Sequence, residues 1–145
     1  MPVSRKQMED NVIYTLTGPF DVETANHYQD LNAEDYNRIG DALGAIIDFR
    51  PMEKVTVSGL RTIQQRLQGV RFDTPVAFVG NTESIFITFL RGLEALTSRG
   101  KSRFGFFTNI EEAVSWIDAW YITHRKDREE LRGQVTTEIK PQNQS

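Results

Sequence analysis

The chain has no cysteine. That absence excludes disulfides, thiol catalysis and thiolate-bound metals together. Histidine is nearly as scarce: His27 and His124 are the two present, far apart and without a spaced set of further ligands. Neither a metal centre nor a histidine-based triad has a residue set behind it. No apolar run approaches the ~20 residues that would span a bilayer. The opening Met1-Pro2-Val3-Ser4-Arg5-Lys6-Gln7 lacks the apolar centre of a secretory signal. A basic excess is missing as well: 17 Lys and Arg stand against 20 Asp and Glu, a net charge of −3. Nucleic-acid binders are normally strongly basic. No glycine-rich phosphate loop of Walker or dinucleotide type occurs. These gaps predict a cytoplasmic domain of bacterial type that needs no cofactor, spans no membrane and binds no nucleic acid.

What remains is ordinary globular material. Apolar residues make up 39% of the 145 positions and charged residues 26%, enough hydrophobe for one domain with a real core. The charge is uneven. Acids crowd the first third, from Glu9 to Asp48, and bases the middle, from Arg50 to Arg103. That distribution fits either the solvated faces of successive helices or the steering of a partner.

Val12 to Thr17 alternates like a half-buried strand, and Val3 to Gln7 reads as the other arm of an antiparallel hairpin turning at Glu9-Asp10-Asn11. Gly18-Pro19 ends it. Asp21 caps a helix over Val22 to Leu43, with an interruption expected near Leu31-Asn32, where Asn32 offers a second start and Glu34 and Asp35 a favourable first turn. Ala45 to Phe49 and Val76 to Gly80 are short apolar runs, suited to strands buried on both faces of a parallel sheet. Leu60, Ile63 and Leu67 mark a helix starting at Ser58. Ile85, Phe89, Leu93 and Leu96 mark the inner face of another. Arg103 to Phe107 reads as the last strand. Asn109 caps a last helix with Ile110, Val114, Ile117 and Tyr121 inward.

Strands alternating with helices of this length imply right-handed crossovers onto one sheet. The predicted fold class is α/β: a mixed, mostly parallel sheet with an N-terminal antiparallel hairpin and helices packed against it. Residues 1–124 form that domain. Residues 125–145 form a charged tail, partly helical and then disordered from Lys140 onward. Phe86, Leu90, Trp116 and Trp120 sit partly off the inner stripes. Either they widen the packed helix faces, or they mark a protein contact or homodimer seam.

The densest information lies between Asp48 and Arg61. An apolar strand ends in Asp48, a charged loop follows, then Thr56-Val57-Ser58-Gly59-Leu60-Arg61 opens a helix. Ser58 is suited to capping a free N–H there, and Gly59 to close approach of a backbone or an anion. With the opening hairpin, Gly18-Pro19-Phe20-Asp21-Val22 and the closing Phe106 to Ile117 stretch, this pattern resembles the STAS domain family over roughly residues 3 to 120. It is most similar to the anti-sigma-factor antagonists, whose pattern reads Asp-Ser-Ser-Gly-Leu at this corner.

The resemblance implies a non-catalytic, protein-binding regulator. Its expected partner is a serine kinase that doubles as an anti-sigma factor. Ser58 is the implied phosphorylation site, and Asp48, Thr56, Val57, Ser58, Gly59 and Arg61 are the implied partner-binding residues. This chain departs from the pattern in having Thr56 where an acid is expected and Val57 where a serine is expected. Ala33-Glu34-Asp35-Tyr36 is similar to a first-helix motif of STAS/SEC14-like relatives. That likeness implies an alternative, a small-molecule or lipid carrier with a pocket between sheet and helices. Asp48 also sits where a response-regulator receiver has its phospho-acceptor, but Thr15-Leu16-Thr17-Gly18-Pro19 lacks the carboxylates that would hold magnesium. No residue set supports an enzyme.

Overall fold

A computed structural model describes residues 2–67, 74–97, 103–124 and 128–132. The expected hairpin forms from β1 (Val3–Met8) and β2 (Asn11–Leu16), with Val3 opposite Leu16 and Met8 opposite Asn11. Helix α1 spans Val22–Ile39, strand β4 Gly44–Asp48, helix α2 Val57–Leu67 and strand β6 Val76–Val79. Helix α3 (Ile85–Thr97), strand β7 (Phe104–Phe107) and helix α4 (Ile110–His124) follow, and a one-turn helix α5 covers Arg128–Leu131. Two short strands absent from the sequence reading, β3 (Gly18–Phe20) and β5 (Met52–Val55), complete the set.

The main sheet has the order β1-β2-β4-β6-β7, antiparallel only between β1 and β2. Alternation along each strand sends side chains to two separate cores. Tyr14, Leu16, Ile47, Phe49 and Phe78 pack with residues of α1, α2 and α3. Ile46, Ala77 and Val79 pack against Ala113, Ile117 and Trp120 of α4. Every residue of β4 is buried, as expected of a central parallel strand covered on both faces.

Helix α1 is unbroken over its 18 residues. Asn32 does not start a second helix, because its side chain turns inward and donates to the Tyr14 hydroxyl at 3.4 Å. Asp35 is therefore mid-helix rather than in a first turn, and it is fully buried. It accepts hydrogen bonds from Tyr14 (2.6 Å), Arg5 (3.0 Å) and Arg38 (2.7 Å), which offset the cost of burying a carboxylate. The helix stops at Gly40, whose φ of 79° is easy for glycine and whose N–H reaches the Tyr36 carbonyl at 2.7 Å.

In α3 the buried stripe is Phe86, Ile87, Leu90 and Leu93, while Ile85 faces out at 79% exposure. Of the expected inner stripe, Leu93 is buried, Phe89 packs half-buried against the core and Ile85 is turned outward, while the side chain of Leu96 lies outside the described residues. Phe86, Leu90 and Trp120 are buried and widen the packed helix faces, and Trp116 is half-buried against Phe107.

Residues 128–132 fold back on the end of the sheet where the parallel strands start. Arg128 donates through Nε to the Ala42 carbonyl at 2.8 Å, reaches Asn11, and lies over the Tyr121 ring. Arg132 forks onto Asp10 at 2.8 and 2.6 Å. The expected disorder from Lys140 onward lies outside the described residues.

Candidate functional site: the carboxyl edge of the sheet

The parallel strands β2, β4, β6 and β7 all end on one side, with Thr15, Asp48, Val79 and Phe107 across from one another. Crevices beyond the carboxyl ends of parallel strands are where open α/β sheets generally bind. Here the chain builds an extra piece. Strand β3 leaves the end of β2, β5 leaves the end of β4, and the two pair in parallel as a small second sheet. That sheet carries the start of α2.

Thr56 is the hinge of this corner. Its N–H donates to the Phe20 carbonyl at 3.1 Å, and its hydroxyl contacts the same oxygen at 2.8 Å. The hydroxyl oxygen accepts the Gly59 N–H at 3.0 Å, and the Thr56 carbonyl accepts the Leu60 N–H at 3.1 Å. Thr56, not Ser58, is thus the N-cap, and the helix starts at Val57, one residue before the expected start. Ser58 is in the first turn and exposed, with its hydroxyl 3.2 Å from that of Thr56.

Gly59 is buried, and a Cβ there would overlap the Phe20 carbonyl. Of the two partners its lack of a side chain suits, a backbone or an anion, it is a backbone that approaches it. The corner is consequently closed at Gly59 and open at Val57 and Ser58. Val57 is 71% exposed, and Arg61, one turn further on, is exposed too.

Asp48 anchors the loop that leads there. Its carboxylate accepts the Arg50 guanidinium as a fork (2.9 and 2.8 Å) and the Arg50 backbone N–H (3.1 Å). Burial disfavours its charge, but the hydrogen bonds and charge of Arg50 outweigh that and hold its pKa below the ordinary carboxylate value. Asp48 is therefore a loop fastener, occupied by its neighbour two residues on.

The edge has another trait that the sequence reading missed. The first residue of each of three helices is an exposed aliphatic: Val22 in α1, Val57 in α2 and Ile85 in α3. Beneath them Phe20, Phe49 and Phe86 pack together, with Phe86 tilted against Phe20 at 5.1 Å and edge-on to Phe49 at 5.2 Å. Rigid aromatics thus support a surface studded with apolar side chains around one hydroxyl. Periodicity alone does not reveal this, because a helix's first residue belongs to no buried or exposed stripe. Among the described residues, no group of three or more His, Asp or Glu side chains is placed to hold a metal ion. No helix among them is long and apolar enough to cross a membrane.

The fold has counterparts among solved structures. A protein with a SpoIIAA-like fold from Shewanella loihica PV-4, of the DUF3478 family, matches with a TM-score of 0.57 at 16% identity. The match covers 79% of this chain and 91% of that one. An anti-sigma factor antagonist from Mycobacterium paratuberculosis matches with a TM-score of 0.55 at 14% identity, over 80% of this chain and 92% of its own. The fold is SpoIIAA-like. A third match, the anti-sigma factor antagonist SpoIIAA in its unphosphorylated form, has a TM-score of 0.50 at 13% identity and covers 80% of this chain and 97% of that one. The expected STAS-like architecture, a hairpin followed by parallel strands with helices packed on the sheet, is therefore the one present. No protein-family model matches the sequence, and no curated protein does.

Proposed function

We propose that this STAS-like domain is a non-catalytic regulator that docks a partner protein on its carboxyl edge, with Ser58 as the point where phosphorylation switches docking. The observation that carries the reading is the exposure of Ser58 and Val57 on the first turn of α2, in a corner otherwise pinned by Thr56 and Gly59. The likeness to anti-sigma factor antagonists, one of them described in an unphosphorylated form, supports a protein partner of that regulatory class. A serine kinase that also acts as an anti-sigma-like regulator fits best, because a single protein then reads and modifies the same corner.

The chemistry is local. Phosphate on Ser58 adds about −1.5 to −2 charges at pH 7. The fold tolerates that charge, since the positive end of the α2 dipole and Arg61 three residues on both favour it. A partner laying apolar surface over Val22, Val57 and Ile85 would have to desolvate the dianion, and docking would fail without rearrangement of the domain.

Two measurements test this. Intact-mass analysis of the protein from its native host should find a fraction heavier by one phosphate, mapped to Ser58. Quantitative capture from that host's lysate should recover one kinase-class protein with wild type and with Ser58→Ala, and markedly less with Ser58→Asp. An unmodified serine together with identical capture by all three forms would overturn the switch.

A further inference from the structure

Among the described residues every arginine but one is occupied. Arg5 and Arg38 reach Asp35, Arg50 reaches Asp48, Arg66 reaches Asp30, Arg128 reaches Asp118 and Arg132 reaches Asp10, all as ion pairs of 2.6 to 3.3 Å. Arg91 lies over the Phe106 ring, and Arg103 donates to the Thr74 carbonyl. Arg61 is the exception. It is exposed and makes no hydrogen bond, ion pair or ring contact with a described residue. A guanidinium is a planar fork of donors that matches a carboxylate or a phosphate. This free one stands on the first turns of α2, beside the open part of the corner.

Its position gives it two possible mates. Ser58 and Arg61 are three residues apart on α2 and so share one face of the helix. Side chains on a helix lean towards its amino end, which brings Ser58 within reach of the guanidinium. A phosphate on Ser58 finds no donor in Thr56, although the two hydroxyls are 3.2 Å apart. The Thr56 proton goes to the Phe20 carbonyl, and its oxygen accepts the Gly59 N–H. With Ser58 unmodified, the same guanidinium stands near exposed Val57 and complements a carboxylate bordered by apolar side chains.

We propose that the switch acts through Arg61. When Ser58 is free, Arg61 receives a carboxylate of the docking protein. When Ser58 is phosphorylated, Arg61 folds back onto the phosphate. Phosphorylation then breaks docking by withdrawing an anchor as well as by adding charge. This rests on the regulatory reading of the Ser58 corner and names the partner's chemistry there, an acidic side chain set among apolar ones.

The test uses the full chain made with a phosphate already on the Ser58 hydroxyl, so that no host kinase is needed, and follows that phosphate by 31P NMR against pH. Its second ionisation, ordinarily near about pH 6, should lie at least about half a pH unit lower in this chain than in Arg61→Gln. Arg61→Lys should recover part of the difference, since an ammonium keeps the charge but not the fork. Thermal stability should be equal in the three forms, because Arg61 has no contact with a described residue to lose. Without the phosphate, Arg61→Gln should cut capture of the protein that wild type binds at least about fivefold.

Equal phosphate ionisation with and without Arg61 overturns the inference, whether or not the host modifies Ser58. So does undiminished capture by Arg61→Gln of a protein that Ser58→Asp releases. Capture that ignores Ser58→Asp tells against the regulatory reading itself. The carboxylate half of the proposal falls with it, and the phosphate titration still decides the other half.

Discussion

The two ends of the sheet are finished in opposite ways. At the amino edge several polar groups of the described residues are paired off within the chain. Tyr121 donates towards the Asp41 and Leu43 carbonyls at 2.8 and 2.6 Å, Arg128 holds Ala42 and Asn11, and Arg132 clamps Asp10. At the carboxyl edge the framework is just as firmly tied, through Thr56, Gly59 and the Phe20–Phe49–Phe86 cluster. Yet what it displays there, Val22, Val57, Ser58 and Ile85, is left facing solvent. A rigid scaffold under an unsatisfied surface is the arrangement that binding sites favour, since little ordering cost remains when a partner arrives. Exposed Met8 and Ile122 lie apart from this group, on an edge strand and on α4.

The contrast is sharpened by breaking each end in turn. The largest effect is expected from Gly59→Val, which drives a branched side chain into the Phe20 carbonyl. Overpacking against backbone should cost about 3 kcal/mol, read as a lower urea midpoint. Next is Arg128→Ala, which removes a charged hydrogen bond to a buried carbonyl together with the cation over Tyr121. A loss of about 2 kcal/mol should lower the melting temperature by roughly 6 °C. Partner capture should be unchanged, because the damage is at the far end.

Thr56→Ala takes away the helix cap and should cost about 1 kcal/mol, and Thr56→Ser should restore most of it. Acid comes next. The pKa of Asp10 is held low by its hydrogen bonds from Arg132, and that of Asp48 by Arg50 acting against burial. A carboxylate depressed on folding gives stability that is present above its unfolded pKa of about 3.9 and is lost as pH falls through the folded value. Denaturant titrations should therefore show Asp48→Asn approaching wild type below about pH 4, and differing most near neutrality. The smallest effect is Ser58→Ala, within about 0.5 kcal/mol of wild type, because this exposed hydroxyl is not the cap. A large loss of stability there would mean that Ser58 is structural after all.

Much of the architecture was legible beforehand, for a physical reason. Buried parallel strands such as Ala45 to Phe49 are continuous apolar runs, and the caps at Asp21 and Asn109 follow from side-chain chemistry that acts over three residues. What escaped depends on distant partners. Strands β3 and β5 are only three and four residues long and contain Pro19, Glu53 and Lys54, so no local pattern announces them. Among the described residues each pairs with the other alone. The true cap of α2 was obscured because Thr56 and Ser58 are both good capping residues. The hydrogen bond to Phe20, thirty-six positions away, decides between them.

The Ile85 end of α3 was misread for another reason. Ile-Phe-Ile-Thr-Phe-Leu is apolar nearly all round, so its period does not say which side is in. The inward polar pair Gln29 and Asn32 did leave a signal, as amides at a helical spacing that also includes Ala25, Tyr28 and Tyr36.

The clamp between Asp10 and Arg132 joins positions 122 apart in the chain. During synthesis the hairpin turn emerges early, and its arginine mate arrives only after the whole sheet has been made. The Asp10 carboxylate therefore has no mate until residues 128–132 are made, and this latch is among the last contacts the chain can form.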